Sequence, residues 1–256
     1  MKAGSSSRPR VTACIPAYNS ARTLEKLASG LAMQKVDKII VANDASTDGT
    51  AAVARALSKR YPLILIDRKK NGGGSQAVFD CYLKALKFAG KNDVIVRMDS
   101  DLEHLPEWLP TLVSPIIQNK ADAALVEIRL NAKLDPLSFE YNRKYAAKQD
   151  ELIGIGLRVQ QSPGMQAFRA ETLEKIMPLI IEYRRRYEKR FGEKDRVGID
   201  LAALTALKII GKTPVIIHFP QAPTQPKPVV HLVEQERQIK RHLEIMNEIL
   251  EAHKNG

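Results

Sequence analysis

Three acidic residues alternate along one short segment, and their spacing is typical of a metal site. Asp99, Asp101 and Glu103 occupy every second position directly after the mostly apolar segment 93–98. In an extended chain such side chains project from one face, where carboxylates repel one another unless a cation lies between them. Oxygen ligands of this kind suit Mg²⁺ or Mn²⁺, which keep positions for phosphate. Asp99-Ser100-Asp101 therefore predicts a metal-diphosphate site, with an acid-rich helix start as the alternative.

Loops that follow earlier apolar runs carry side chains suited to a nucleotide. In the loop 16–19, Tyr18 has a flat ring that can lie against a base or ribose. In the loop 43–50, Asp44 can accept a hydrogen bond from a base N–H. Glycines at 72–74 let the backbone approach a phosphate closely, with a helix N-terminus behind them. Taken singly, each loop also fits a capped helix start or a plain connection.

Short β-branched runs alternate with longer amphipathic stretches through the first 120 residues, which predicts a parallel sheet covered by helices. Right-handed crossovers place the carboxyl ends of such strands at one edge, where ligands collect. We therefore expect the acidic segment and the nucleotide-type loops to converge. The predicted strands are 11–15, 38–42, 63–66 and 93–98, and the predicted helices are 21–32, 50–60, 75–89 and 107–118.

The remainder of the chain departs from this regular alternation. A proline-rich piece at 220–228 predicts an extended linker. Beyond it, apolar residues from Leu232 to Leu250 recur at three- and four-residue spacings, the seam of an amphipathic helix. We expect this helix to pack on its own domain, with a dimer contact or a membrane-surface position as alternatives. The other predicted elements are strands at 121–130 and 214–219, a short segment at 164–168, and helices at 138–153, 183–196 and 199–210.

The composition describes a globular chain without covalent crosslinks. With 256 residues, of which 44% are hydrophobic, the chain can bury the core of one large domain. Its two cysteines lack ligand-like spacing, so neither a disulfide framework nor a zinc site is expected. No apolar run is long enough to cross a bilayer, which favours a cytoplasmic protein.

The net charge of +11 is partly focused in the basic helix 183–196. This stretch is either a solvated face or a peripheral contact with the cytoplasmic face of a membrane. Nucleic acid is not expected as a partner, because aromatic residues suited to base stacking make up only 5% of the chain.

Taken together, four motifs resemble the inverting glycosyltransferases of family 2, which have the GT-A fold. A thinner likeness continues in Gly164–Arg169, which is similar to the family's Gly-Phe-Arg-Ala-Phe-Arg segment. Within the family the resemblance is strongest to dolichyl- and polyprenyl-phosphate mannose and glucose synthases. The motifs are Ile15-Pro16-Ala17-Tyr18-Asn19, Asn43-Asp44-x-Ser46-x-Asp48-Gly49-Thr50, Asn71-Gly72-Gly73-Gly74 and Met98-Asp99-Ser100-Asp101-Leu102-Glu103-His104-Leu105-Pro106-Glu107.

The resemblance implies an α/β fold of GT-A type: a Rossmann-like, mostly parallel sheet flanked by helices, followed by the C-terminal amphipathic helix. The GT-A domain would span 11–220, with a nucleotide-sugar-binding half at 11–120 and an acceptor half at 121–220. A disordered N-terminus at 1–10 would precede it. The proline-rich linker and C-terminal helix would occupy 221–256.

The resemblance also implies roles for single residues. Asp99, Asp101 and Glu103 would hold Mg²⁺ or Mn²⁺. Asp200 lies where relatives carry an acid near the acceptor, so it joins Asp101 as a candidate catalytic residue, with a helix-start role as the alternative. Arg129 and Arg143 fall where lipid-phosphate synthases bind phosphate, although each also fits a surface ion pair. The implied donor-binding residues are Pro16, Ala17, Tyr18, Asn19, Asp44, Asn71, Gly73, Asp99, Ser100, Arg129 and Arg143.

Departures from the family pattern concern mainly the acceptor side. Ser20 and Asn43 replace usual acids, the loop 160–162 lacks one, and Gln166 replaces the arginine of the Gly-Phe-Arg segment. The predicted function is metal-dependent transfer from GDP-mannose or a UDP-sugar to a lipid phosphate, with a glycan or other hydroxyl acceptor as the alternative. A non-catalytic module that binds nucleotide sugars or polyanions is the rival from another class. Nucleotidyltransferases and dinucleotide-dependent oxidoreductases are disfavoured, because no glycine-rich motif follows Ile15.

Overall fold

Within the described chain, seven strands form one mixed sheet. The computed structural model describes residues 8–129, 136–158, 164–220 and 229–254, without the side chains of 137, 138 and 229–235. The strands are β1 (Val11–Ala17), β2 (Lys38–Asn43), β3 (Leu63–Asp67), β4 (Val94–Met98), β5 (Ala123–Arg129), β6 (Met165–Arg169) and β7 (Val215–Pro220). The helices are α1 (Ala21–Met33), α2 (Thr50–Leu57), α3 (Gly74–Leu86), α4 (Leu109–Ile117), α5 (Pro136–Ile153), α6 (Ala170–Phe191), α7 (Ile199–Ile209) and α8 (Val229–Ala252).

The strand order is β3-β2-β1-β4-β6-β5-β7. Strands β1 to β4 are parallel, as the alternating pattern predicts, because each crossover returns through a helix. Strand β6 runs antiparallel to both β4 and β5, and β7 is parallel to β5. The short segment predicted at 164–168 is thus an internal strand, and its direction brings Gly164 beside the end of β4.

Helices cover both faces of the sheet and create two apolar cores. One core lies under α1, α2 and α4, and the other lies under α3 and α5 to α8. All of Val11–Ala17 is buried, because both faces of β1 are covered. Cys14 and Cys81 are free and lie in the second core. The predicted α/β architecture, a mostly parallel sheet flanked by helices, is confirmed.

The basic stretch 183–196 is not one helix, which corrects the prediction. Residues 183–191 form the C-terminal part of the longer helix α6, which ends at Phe191. Gly192 has a φ of 69° and closes the helix in the left-handed conformation, which glycine adopts without a steric penalty. Residues 193–196 therefore lie in the loop that leads to α7.

The N-terminus is anchored earlier than the sequence predicts. The sequence predicts disorder over residues 1–10, but Arg8 pairs with Asp37 at 2.9 Å and Arg10 pairs with Asp93 at 2.7 Å. Both carboxylates directly precede strands that flank β1, so the ion pairs tie its start to its neighbours. Residues 1–7, the loop 160–162 and the linker 221–228 lie outside the described residues.

The C-terminal helix packs on its own domain, as predicted. It contacts α5, α6 and α7, and it buries Ile239, Ile245, Met246 and Ile249. It also buries His242 against the loop before α7.

Candidate active site

A cavity of about 380 Å³ opens at the carboxyl ends of β1, β2 and β4, the edge at which we expect ligands to collect. The loop after β1, Asp44 after β2 and the acidic segment after β4 all reach it. The structure thus brings together most of the predicted donor-binding residues. The lining consists of Pro16, Ala17, Tyr18, Asn19, Ser20, Thr23, Asp44, Gly74, Ala77, Arg97, Asp99, Ser100 and Asp101.

Asp44 holds the glycine loop against the end of β2. Its carboxylate accepts hydrogen bonds from the amides of Gly72 and Gly73 at 2.9 and 2.8 Å and from Arg68 Nε at 2.8 Å. Asn71 donates to the Asp44 carbonyl at 3.1 Å. A carboxylate has about four lone-pair positions. One position therefore remains with which Asp44 can accept a bond from a base.

Tyr18 stands at the mouth of the cavity, and 52% of its surface is exposed, so a base can stack on its ring. The next residue, Asn19, fixes the loop. It has a φ of 52°, which costs a non-glycine residue on the order of 1 kcal/mol. Its amide donates to Ser46 Oγ at 2.9 Å, and its Oδ1 accepts a bond from the Thr47 amide at 2.9 Å. These bonds offset the backbone cost and join the loops after β1 and β2.

The acidic segment after β4 is held at the N-terminus of α1 and ends in a sharp turn. Ser20 Oγ and Ser100 Oγ share a hydrogen bond of 2.7 Å. Leu102 then reverses the chain with a φ of 66°, and the Glu103 amide donates to Asp101 Oδ1 at 3.0 Å. The segment therefore does not continue as the extended alternation that the sequence predicts. Asp101 reaches the cavity, whereas Glu103 is not part of its lining.

The carboxylates of Asp99 and Asp101 fit a divalent cation that is shared with a diphosphate. In the part of the chain that the structure describes, no group of three or more histidine, cysteine or acidic side chains could hold an ion by itself. Mg²⁺ is commonly bound by one or two carboxylates together with substrate phosphates, and this pair meets that requirement. Gly164 lies next to this pair of carboxylates, and its carbonyl accepts a hydrogen bond from the Asp99 amide at 3.1 Å.

Arg97 lines the cavity although no motif points to it. Its Nη2 lies 2.8 Å from Asp99 Oδ1 and 3.3 Å from Asp200 Oδ2. Burial alone would lower the pKa of this guanidinium, but Asp200 and Asp99 raise the pKa above its usual value, so Arg97 stays charged. A sequence signal exists: Arg97 is the one charged residue of β4 and lies two positions before Asp99, on the same face.

Residues 12–177 match the family model described as Glycosyl transferase family 2, which accounts for more than half of the chain. The chain belongs to glycosyl transferase family 2. It is 39% identical to the dolichol-phosphate mannosyltransferase of Pyrococcus furiosus over 119 residues, 45% of this chain and 32% of that protein. It is 30% identical to the undecaprenyl-phosphate mannosyltransferase of Micrococcus luteus over 178 residues, 65% of this chain and 69% of that protein. The match therefore spans about a third of the P. furiosus protein and about two thirds of the M. luteus protein.

Solved structures support the same fold for this family 2 chain. The glucosyl-3-phosphoglycerate synthase of Mycobacterium tuberculosis, in complex with Mn²⁺, uridine diphosphate and phosphoglyceric acid, is similar with a TM-score of 0.66. The two are 20% identical, and the likeness covers 93% of this chain and 78% of that one. At this level of identity the likeness establishes the GT-A type fold alone.

Two predicted donor-binding residues, Asn71 and Gly73, do not line the cavity but contact the loop before α7. Asn71 accepts a hydrogen bond from Arg196, and the Arg196 carbonyl accepts one from the Ser75 amide at 2.9 Å. Gly73 has a φ of 84°, and a Cβ there would lie 2.8 Å from Arg196 Cα. The loop before α7 thus packs directly on the glycine loop, a contact between distant segments that the motifs do not reveal.

The remaining family-derived candidates lie away from the cavity lining. Arg129 is exposed at the end of β5, which β6 separates from β4. Arg143 is exposed on α5 and pairs with Glu140 at 3.0 Å, which agrees with its reading as a surface ion pair. Asp200 is buried in the first turn of α7 and contacts Arg97.

Proposed function

We propose that this family 2 protein transfers a sugar from a nucleoside-diphosphate sugar to an acceptor, with inversion at the anomeric carbon. The observation that carries the proposal is the meeting of Tyr18, Asp44, Asp99 and Asp101 around one cavity. An exposed ring, a hydrogen-bond acceptor and two carboxylates are the groups that a base and a cation-bound diphosphate require. The names of the P. furiosus and M. luteus relatives, both mannosyltransferases, support this reaction class.

The donor would lie along the cavity from Tyr18 to the acidic segment. Its base would stack on Tyr18 and donate to Asp44. Asp99 and Asp101 would hold Mg²⁺ or Mn²⁺, which supplies charge neutralisation for the leaving diphosphate. The M. tuberculosis neighbour was crystallised with Mn²⁺ and uridine diphosphate, which supports this combination of ligands. Ser20 holds Ser100, and thereby keeps the two carboxylates at a fixed spacing.

The proposed acceptor is a polyprenyl phosphate. A phosphate oxygen is already anionic, so it can attack the anomeric carbon from the opposite face without a general base. A hydroxyl acceptor must lose a proton, and Asp200, the candidate base, is buried and ion-paired with Arg97. This pairing favours the phosphate. The relatives are named for dolichol phosphate and undecaprenyl phosphate, which supports the same acceptor class.

A lipid acceptor requires access to a membrane, and the proposal places the protein peripherally on the cytoplasmic face. No helix in the described ranges is long and apolar enough to cross a bilayer. Arg185 and Lys189 are exposed on α6 and provide positive charge for an anionic surface.

A transfer assay tests the proposed function. Purified protein is incubated with GDP-mannose, UDP-glucose or UDP-N-acetylglucosamine, with Mn²⁺ or with EDTA, and with dolichyl phosphate in detergent or a soluble glycan. We expect one donor to yield a lipid-linked sugar only when metal is present. Transfer to the glycan alone would assign a hydroxyl acceptor. Absence of both transfer and donor hydrolysis would contradict the enzyme and favour a binding module.

Asp99→Asn and Glu25→Gln form a matched pair for this assay. Each exchanges one carboxylate for an amide, but Glu25 lies on the exposed face of α1 and pairs with Arg60. Asp99→Asn should abolish metal-dependent turnover, whereas Glu25→Gln should retain it. Equal activity of the two variants would overturn the assignment of the metal to the acidic segment.

A further inference from the structure

Arg97 is an unusual residue for its place in the fold. The other residues of β4 are apolar, the whole strand is buried, and only 9% of the Arg97 side chain is exposed. A buried guanidinium is costly unless opposite charges lie close to it. Asp99 and Asp200 supply those charges at 2.8 and 3.3 Å from the same nitrogen, Nη2.

The two carboxylates belong to different parts of the chain. Asp99 directly follows β4 and lines the cavity with Asp101, whereas Asp200 lies in the first turn of α7. Because one guanidinium nitrogen contacts both, the position of each carboxylate depends on Arg97.

The register of the sheet adds a second observation. Arg97 on β4 lies directly opposite Gln166 on the antiparallel strand β6. Opposed residues of an antiparallel pair project from the same face, with Cβ atoms about 5 Å apart. Gln166 stands where the family's Gly-Phe-Arg segment has its arginine. An arginine at 166 would therefore enter the same space from the neighbouring strand.

We propose that Arg97 is a positioning residue that sets Asp99 for the cation and holds Asp200 beside it, in place of an arginine at position 166. The inference rests on the proposed function, because it concerns the same metal-diphosphate site. It explains two departures at once: the arginine in an apolar strand and the glutamine in the Gly-Phe-Arg segment.

The experiment removes the guanidinium with Arg97→Gln and returns it from the opposite strand with Gln166→Arg in the same chain. Binding of uridine and guanosine diphosphate is measured by calorimetry without metal and over a series of Mn²⁺ concentrations. Hydrogen bonds to metal-binding carboxylates typically contribute 10–100-fold to metal affinity, so R97Q should require about 10–100-fold more Mn²⁺. Binding without metal should be unchanged, and the double variant should regain at least about tenfold of the lost Mn²⁺ affinity.

Arg169→Gln is the matched control. Arg169 is also a buried strand arginine, but it pairs with Asp122 at 3.1 Å and does not line the cavity. This variant should lower Tm without changing the Mn²⁺ requirement. If R97Q does not fold, the double variant alone tests the proposal, because Gln166→Arg restores the buried positive charge.

Two results overturn the proposal: a folded R97Q with the wild-type Mn²⁺ requirement, or a folded double variant that does not regain it. If the wild-type protein itself binds neither nucleotide with Mn²⁺, the proposed function fails instead.

Discussion

The carboxylate of Asp99 is confined from two directions. Arg97 contacts Oδ1 at 2.8 Å, and a Cβ added to Gly164 would lie 2.3 Å from Oδ2. The same Cβ would lie 2.6 Å from Cε1 of the buried His104 ring. Only glycine therefore fits at 164 while Asp99 keeps its place, and this gives the first glycine of the Gly-Phe-Arg-like segment a physical reason.

Gly164→Ala should displace the Asp99 carboxylate and impair the proposed metal-dependent transfer. Because the added methyl group would meet the side chain that is proposed to hold the cation, we expect kcat/KM to fall about 10–100-fold. Gly90→Ala is the control, since a Cβ there would meet Asp93 at an ordinary 3.6 Å. Steady-state kinetics with saturating Mn²⁺ would contradict the account if G164A matched the wild type.

Tyr18→Ala should weaken nucleotide binding because the base loses its stacking surface. Aromatic stacking on a base contributes about 1–3 kcal/mol, so the Kd for the nucleoside diphosphate should rise about 5–150-fold. Tyr18→Phe keeps the ring and should bind as tightly as the wild type. Calorimetry measures the Kd of each variant. An equal loss of affinity in both variants would show that the hydroxyl contributes more to binding than the ring.

At the scale of elements, α8 supports the candidate site through the loop before α7. His242 on α8 packs so closely on Gly198 that a Cβ there would lie 2.1 Å from the ring. Asp195 fixes the loop by accepting a bond from the Gly198 amide at 2.7 Å. Arg196 then contacts Asn71, next to the glycines that Asp44 holds. The C-terminal helix is thus part of the framework of the site.

His242 should make the stability of this framework depend on pH. Burial lowers its pKa, Asp195 opposes that effect and Arg241 adds to it, while Tyr183 and Tyr187 pack on the ring. The unfolded histidine has a pKa of about 6.5, so below this pH the unfolded chain binds more protons than the folded one. The free energy of unfolding should therefore fall by up to about 1.4 kcal/mol per pH unit below about 6.5.

Urea unfolding of the wild type and His242→Gln over this pH range checks the expectation. The variant should be less stable at neutral pH, and its stability should fall less steeply on acidification. Parallel pH profiles for the two proteins would contradict a buried neutral His242.

The strands and helices of the first half are predictable because each element is amphipathic or fully apolar over a length that its turns define. All four predicted strands and four predicted helices of that half are present, with ends shifted by a few residues. The end of α6 is different: the basic run continues to Arg196, and the left-handed Gly192 alone stops the helix. The antiparallel direction of β6 is also invisible in the sequence, because five buried residues carry no sign of orientation.

At the scale of the whole molecule, the positive charge is only partly available to a partner. Much of it is paired: Arg68 with Asp44, Arg97 with Asp99 and Arg169 with Asp122. Arg185 and Lys189 are exposed on the outer side of α6. The ion pairs already cancel within the formal net charge of +11, so an anionic surface would meet the charge of exposed residues such as Arg185 and Lys189.

Arg185→Gln with Lys189→Gln should weaken association with vesicles that contain phosphatidylserine. Each basic residue near such a surface contributes about 1 kcal/mol, so the pair should cost about 30-fold in affinity. Lys26→Gln with Lys59→Gln removes the same charge from exposed positions outside α6 and should have little effect. Co-sedimentation measures both, and an equal loss would indicate a charge effect without a defined contact face.

The candidate site is predictable only where its residues directly follow the ends of predicted strands. Asp99, Asp101, Tyr18 and Asp44 follow strands whose ends meet, so topology alone brings them together. The contacts of Arg97 with Asp200 and of Arg196 with Asn71 join segments about 100 or more residues apart, and local pattern does not encode them. Glu103 shows the reverse: the alternation predicts a shared face, but the turn at Leu102 breaks it.

The most direct test of the account is a crystal structure with a nucleoside diphosphate and Mn²⁺, in which anomalous scattering locates the metal. We predict one strong peak that contacts carboxylate oxygens of Asp99 and Asp101 and both phosphates, with the base on Tyr18. A peak away from Asp99 and Asp101, or a nucleotide bound outside the cavity, would contradict the central claim.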